Sequence, residues 1–379
     1  MRVLAFGTYD VRSHPRVAVL IEGLRAHGDE VVEVNVPLGI DTAARVALLR
    51  RPWRAPLFAL RLARCWAVLA VRGRRLHRRF RPDVVLVGYL GHFDVRLARR
   101  LFGRTPVVLD HLIFAADTAR DRKVATGWKI RLLELLDRGA LRSADLVVLD
   151  TDEHAALMPA DLADRGVVVP VGVPQSWFTA AEATRLDAAP GPAGGSVWDE
   201  PLRAIFFGLF TPLQGTPVLA EALAALADRS DIEVLAVGHG QDLPAARQAA
   251  AANEHITWRD WIPAEELPSV VARHDVCLGI FGTGPKALRV VPNKVYQGAA
   301  AGCAVITSDT PPQRRALGTA GYHVPPGDAA ALADALRTLA SDRQRLTALR
   351  KEAHERALAE FSPSVVVRDL RERINALLA

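Results

Sequence analysis

The sequence predicts an α/β protein built of two doubly wound halves, and three observations carry that prediction. Short apolar runs of β character alternate with helical patterns in both halves of the chain. A stretch rich in Ala, Pro and Gly separates the halves. At 379 residues the chain also exceeds what one hydrophobic core covers, about 250–300 residues.

The first half opens with a strand from Val3 to Gly7. Pro15 then starts a helix that places Val17, Leu20, Ile21 and Leu24 at i, i+3, i+4 and i+7, and Gly28 stops it. Val31 to Val36, Val84 to Val87, Val107 to Asp110, Leu146 to Asp150 and Val167 to Val171 follow as strands of a parallel sheet covered on both faces. From Ala180 to Pro201 the pattern breaks into a linker or long surface loop. The second half restarts with Ala204 to Gly208 and a helix opened by Thr216 and Pro217. Ile232 to Gly238, Ile256 to Trp258, Val276 to Ile280 and Ala304 to Thr307 continue its sheet, and helices run from Asp328 onward, one of them through Val365 to Leu378. The expected division is 1–180, a linker over 181–201, a second domain over 202–360 and a C-terminal helix over 361–379 that packs back on the first domain. Two such Rossmann-like domains facing one another place their strand carboxyl ends at a common interdomain cleft, which suits two substrates, one per domain.

Composition narrows the class. The three cysteines, Cys65, Cys277 and Cys303, have neither metal-ligand spacing nor a disulfide framework, which favours a reducing cytoplasm and no metal site. The N-terminus lacks a charged segment followed by a long apolar run, so it is better used as a strand than as a signal peptide. Ala55 to Gly73 is interrupted by Arg61, Arg64 and Arg72 and does not read as a membrane span. The net charge of +6 hides an asymmetry: between Arg45 and Arg104 there are 16 Arg against Asp83 and Asp94. Trp53, Phe58 and Trp66 interleave with that charge, as expected of a helix on an anionic membrane surface or beside an anionic acceptor; a solvated arginine face is the plainer alternative. No aromatic-rich RNA motif, zinc finger or helix-turn-helix pattern accompanies it, so no nucleic-acid partner is expected.

The stretch Phe281 to Asp309, FGTGPKALRVVPNKVYQGAAAGCAVITSD, carries the most chemistry. Gly282 and Gly284 follow an apolar strand, at the carboxyl end where open α/β sheets bind ligands. Pro292 suits a helix start and Gly302 its stop, so unpaired N–H groups and a positive dipole end stand beside Lys286, Arg289 and Lys294. Lys286 and Lys294 are two of only five lysines in an arginine-dominated chain. A phosphate-bearing ligand fits these residues, as does an ordinary turn with a basic rim.

Six segments in order resemble the GT-B fold glycosyltransferases, most closely the large family 4 group (glycosyltransferase group 1 type). They are GTYDVRSHPRV, VVVPVGVPQSWF, FFGLFTPLQGTPVLAEAL, AVGHGQDL, ITWRDWIPAEELPSVVARHDVCLGIF and PNKVYQGAAAGCAVITSD, and they span nearly the whole chain. The resemblance implies transfer of a hexose or amino sugar from a nucleotide-sugar donor, UDP-sugar favoured, to an acceptor alcohol. It also implies retention of anomeric configuration, no required metal and no cofactor, since the nucleotide-sugar is a substrate. Donor contacts are then expected from Gly208, Thr211, Gly215, Gly282, Thr283, Lys286, Arg289, Asn293 and Lys294 around the diphosphate, and Gly238 and Val295 are expected to bind the donor as well. Trp261 and Ile262 are expected at the base and Gln297 at the ribose.

Departures from the family pattern are concrete. Leu209 and Gln214 stand where relatives commonly carry Arg and Lys, so the cationic duty falls to Lys286, Arg289 or Lys294. Arg289 and Gln297 stand at the places of the family's paired glutamates. In the first half His111, just after Val107 to Asp110, matches a histidine that many relatives hold close to the reacting sugar. Asp110 and His92 are alternatives to it, and Gly7, Tyr9, His14, Arg16 and Asp117 are expected around the acceptor, which is lipid-linked or a small molecule. A nucleotide-sugar epimerase of the same fold and a non-catalytic nucleotide-sugar binding protein remain as alternatives. The expected location is cytoplasmic, at the inner face of the cell membrane if the basic region 45–104 meets anionic lipid.

Overall fold

The structure, a computed structural model, describes residues 1–11, 14–39, 52–122, 126–187 and 200–379. It divides into two compact units, Met1–Val171 with Pro363–Ala379, and Gly172–Ser362. Each unit holds a six-stranded parallel sheet with helices on both faces.

In the first unit the strands are β1 (Arg2–Gly7), β2 (Glu30–Asn35), β3 (Val84–Val87), β4 (Val107–Asp110), β5 (Leu146–Leu149) and β6 (Gly166–Val168), in the order β2-β1-β3-β4-β5-β6. Their Val and Leu runs are buried on both sides, as a sheet between two helix layers requires. Leu4, Phe6, Val85 and Leu109 face one layer, formed by the helices Ala55–Phe80, Asp94–Phe102 and Trp128–Arg142. Val3, Ala5, Leu86 and Val148 face the other, formed by Arg16–Ala26 and the C-terminal Pro363–Val366 and Arg368–Leu378. A Cβ on Gly23 would stand 2.1 Å from the Pro363 carbonyl, so only glycine lets the C-terminal segment lie on the first helix. Arg371 and the N-terminal amine then share buried Asp29, with contacts of 2.8 Å from each.

The second unit contains β7 (Leu202–Phe207), β8 (Ile232–Val237), β9 (Ile256–Arg259), β10 (Val276–Leu278), β11 (Ala304–Ser308) and β12 (Gly321–Val324), in the order β12-β11-β10-β7-β8-β9. Strand order reverses between β7 and β10 here, and between β1 and β3 in the first unit. Ligands of open α/β sheets bind at such switch points, beyond the strand carboxyl ends.

Two local expectations change. Residues 181–187, read as linker, complete the helix Gln175–Asp187, whose Trp177 and Phe178 are buried; its alanines favour helix, and an apolar anchor upstream overrides the loop-like tail of the pattern. Residues 188–199 of that expected linker lie outside the described residues, as do 45–51 of the basic region. The edge strand β12 was not foreseen, because Gly-Tyr-His-Val alternates too little to signal a strand and is fixed by pairing with β11.

Candidate functional site

In the second unit the loops after β7, β8 and β10 close on one another without side chains between them. A Cβ on Gly238 would lie 1.8 Å from the Gly208 carbonyl, and one on Gly240 2.1 Å from that of Phe210. A Cβ on Gly215, at φ 69°, would stand 2.3–2.4 Å from the Phe281 and Gly282 backbone, and one on Gly282 2.7 Å from the Pro212 and Leu213 carbonyls. Phe281 N–H donates to the Gln214 carbonyl at 3.0 Å, pinning the two loops together. The amides of Gly208, Phe210, Gly215 and Gly238 donate to the carbonyls of Val237, His239, Pro212 and Arg259, so backbone pairing holds these loops against one another.

Lys294 rises into this glycine-lined place from the helix Asn293–Ala300, which Pro292 precedes in extended conformation. Its Nζ donates to Gln214 Oε1 at 2.7 Å and sits 3.5 Å from the Phe206 ring centroid, and a Cβ on Gly208 would stand 3.5 Å from it. The side chain is 4% exposed, and its described partners, an amide oxygen and an aromatic face, carry no formal charge. Burial therefore pushes the ammonium pKa down to about 7. The Cys277 thiol, pushed well up by its own burial, donates to the Lys294 carbonyl at 3.3 Å and holds this turn of helix on β10.

The other expected donor residues divide. Gln297 and Lys286 are buried at 7% and 8% exposure, while Arg289 and Asn293 are half-buried and Thr283 is exposed. Thr211 is buried and its carbonyl accepts from the Thr216 hydroxyl at 3.2 Å. Trp261 is exposed with a ring tilted against His239, whereas Ile262 is buried. Val295 is fully buried, and its place one residue beyond Lys294 on the helix turns its side chain about 100° from that of the lysine.

In the first unit the carboxyl edge gathers a different set. Arg16 is completely buried; its Nε reaches Asp110 Oδ1 at 3.2 Å, and its terminal nitrogens donate to the carbonyls of Val169, at 2.9 Å, and Pro170. Arg16 is thus engaged inside the fold by these three partners, which no sequence pattern signals. Burial pushes the Asp110 carboxyl up, with the Arg16 charge pulling the other way, and its Oδ2 has no hydrogen-bond partner among the described residues. Tyr9 is likewise committed, donating to Glu33 at 2.9 Å. His14 stacks on Tyr89 at 4.2 Å, and burial followed by the Arg16 charge pushes its ring down to about 4. Gly7 turns the chain at φ 150°, after which Thr8 gives both its N–H and its hydroxyl to buried Asp94 at 2.7 Å.

His111 is 2% exposed and its Nε2 has no hydrogen-bond partner among the described residues. Burial, then neighbouring His92, pushes its ring down to about 3, so it is a neutral imidazole at any physiological pH. His92 Nε2 stands 3.1 Å from Asp137 Oδ1. His92, His111 and Asp137 present ligand atoms within 4.8 Å of one another, the one such triple among the described residues. Both Asp137 oxygens already accept N–H groups, from Ala115 at 2.9 Å and Ala116 at 3.1 Å, so this carboxylate caps the helix Ala115–Asp121. Asp117, half-buried, lies in the first turn of that helix. Sequence reasoning missed this carboxylate and the buried His154–Asp150 pair at 2.5 Å, where Thr151 also caps the His154 amide. Only the Thr151 cap, Thr-x-x-His at a strand end, left a readable sign.

The comparisons with known proteins agree with both units. The profile described as "Glycosyl transferase 4-like domain" matches residues 13–173, and that described as "Glycosyl transferases group 1" matches residues 201–342. The chain belongs to the group 1 glycosyltransferases of the GT-B fold. Among curated proteins this glycosyltransferase is 32% identical over 159 residues to a phosphatidyl-myo-inositol mannosyltransferase of Mycobacterium leprae (strain TN), covering 40% of this chain and 41% of that relative. Among solved structures it resembles sucrose-phosphate synthase from Thermosynechococcus elongatus, with TM-score 0.69 and 16% identity over 99% of this chain and 98% of that one. HepE of Anabaena in complex with UDP-glucose gives TM-score 0.67 and 14% identity, over 99% and 100%.

Proposed function

We propose that this glycosyltransferase moves a hexose or amino sugar from a UDP-linked donor to an acceptor alcohol, lipid-linked or small, with retention and without a required metal. The observation that carries the proposal is Lys294: a lysine buried without an anionic partner among the described residues, at a switch-point place lined by glycine backbone. The diphosphate of a nucleotide-sugar would supply the missing counter-charge. When the bond between the sugar and the diphosphate breaks, negative charge grows on the departing phosphate. A cation fixed there lowers the barrier, and each ~1.4 kcal/mol of selective stabilisation means about tenfold in rate. It takes the part a divalent cation plays elsewhere, which supports the metal-independent reading. Gln214 accepts from Lys294 at 2.7 Å, so the loop after β7 orients a cation carried by the neighbouring helix. Exposed Trp261 offers the base an aromatic face and Gln297 offers the ribose an amide. In the first unit neutral His111, its Nε2 open, would hold a sugar or acceptor hydroxyl, with Asp110 beside it on the same strand end. HepE's complex with UDP-glucose makes UDP the first choice of base.

Thermal-shift screening against UDP, GDP, dTDP, ADP and NAD tests the donor assignment. At ligand concentrations near 100 times Kd, binding adds ~2.7 kcal/mol to stability. Selective stabilisation by UDP is expected; a response to NAD alone, or to none of the five, would contradict the assignment.

A further inference from the structure

Three buried side chains from three different elements meet at the carboxyl edge of the first unit's sheet. β3 and β4 pair in parallel, with Val87 opposite Leu109, so the segments that leave them run side by side and bring His92 and His111 together, ring centroids 4.9 Å apart. Asp137 reaches the pair from the helix Trp128–Arg142. His92, His111 and Asp137 are 6%, 2% and 4% exposed. Their spacings, 19 and then 26 residues, form no metal motif, so nothing in the sequence announces the cluster.

The cluster has unspent ligand capacity. His92 Nε2 stands 3.1 Å from Asp137 Oδ1 but out of line for a hydrogen bond, and neither it nor His111 Nε2 has a hydrogen-bond partner among the described residues. Buried ring nitrogens are normally paired, so two bare ones beside a carboxylate point to a ligand that meets all three. Asp137 is held as a metal-bound carboxylate is: Ala115 and Ala116 give it N–H groups at 2.9 and 3.1 Å, which orient it and leave each oxygen a further lone pair. Phe114 braces the His111 ring edge-on, with centroids 4.6 Å apart. The ligand atoms all lie within 4.8 Å of one another, and the 3.1 Å pair is close to the edge of a tetrahedral zinc shell, about 3.4 Å for bonds of about 2.0–2.2 Å. Imidazole rings turn easily about their terminal torsion, which closes the remaining gap.

We infer that His92, His111 and Asp137 form a transition-metal site, with Zn²⁺ the best fit, whose filling shuts transfer off. Two imidazoles and one carboxylate suit Zn²⁺ and its first-row neighbours, whereas Mg²⁺ and Ca²⁺ prefer shells of oxygen alone. Three protein ligands are enough for zinc and leave one position open. The metal takes up the His111 nitrogen that the transfer reading gives to a hydroxyl, so it acts as an inhibitor and not as a cation of the reaction. The blocking effect rests on that reading of His111; the site itself does not.

The test is titration of the untagged full-length protein, first stripped with a chelator, using Co²⁺ as a visible stand-in for Zn²⁺. Equimolar binding with the strong absorption of a four-coordinate ion is expected, displaced by Zn²⁺ and untouched by Mg²⁺. His92→Gln and Asp137→Asn should each weaken binding at least about a hundredfold, since loss of an outer-shell partner alone costs about 10–100-fold. Thermal unfolding without metal checks that the variants fold, and should one lose its fold the other decides. Zn²⁺ should stop release of UDP from the donor by the parent, and chelator should restore it. No Co²⁺ absorption in the parent, or equal affinity in a folded variant, would overturn the site; full turnover with the site saturated would overturn its blocking role. Co²⁺ absorption that the variants lose, in a protein that neither binds UDP nor releases it from a donor, would sink the donor proposal and leave the metal site standing.

Discussion

Replacing Lys294 by methionine is expected to lower turnover of the UDP-sugar by about 10²–10³-fold, the usual loss when one preorganised donor at a developing oxyanion is removed. Methionine keeps the length and fills the buried space over Phe206, so the fold is retained while the charge is lost. The measurement is release of UDP from the donor, with thermal unfolding as the control for folding. Gln214→Leu should act in the same direction more weakly, because it removes the group that aims Lys294 rather than the cation itself. Near-normal turnover in a folded Lys294→Met protein would remove the phosphate role.

Arg16→Met is expected to cost about 3–5 kcal/mol of stability, the range for removing one partner of a buried ion pair. The loss has two parts. Asp110 is left buried without a counter-charge, and the carbonyls of Val169 and Pro170 lose their donors. The sign with pH is fixed: without Arg16 the Asp110 carboxyl lies further above its unfolded value, so the variant loses stability as pH rises and the deficit narrows in acid. Urea unfolding of parent, Arg16→Met, Asp110→Leu and the double variant checks this as a cycle. The double variant should be less damaged than the two single losses added together, since neither charge is then stranded.

Much of the fold was legible, because parallel strands buried on both faces leave unbroken Val and Leu runs, and glycines mark where those strands end. Gly208, Gly238 and Gly282 could be placed at a ligand edge for that reason, and the scarcity of lysine drew attention to Lys294. What could not be read depends on side chains meeting across long stretches of chain. Arg16 has the composition of a surface residue, and only the partners supplied by β4 and the segment after β6 account for its burial. Val295 is fully buried, and its spacing of four from buried Ala299 is the helix period that marks a core face. Asp137 lies 26 residues beyond His111 on another element, so its role as a cap was invisible in one dimension.

The most direct test is calorimetric titration of UDP at pH 8 in two buffers of different ionisation heat. Free Lys294, with its pKa near 7, is largely neutral at that pH, and the diphosphate should restore its charge by raising that pKa. Binding should therefore take up about one proton, and UDP affinity should fall by up to about tenfold per pH unit above 8. Lys294→Met should bind UDP more weakly and take up no proton. UDP binding with no buffer dependence, or with the same uptake in Lys294→Met, would contradict the assignment of this lysine as the cation that meets the diphosphate.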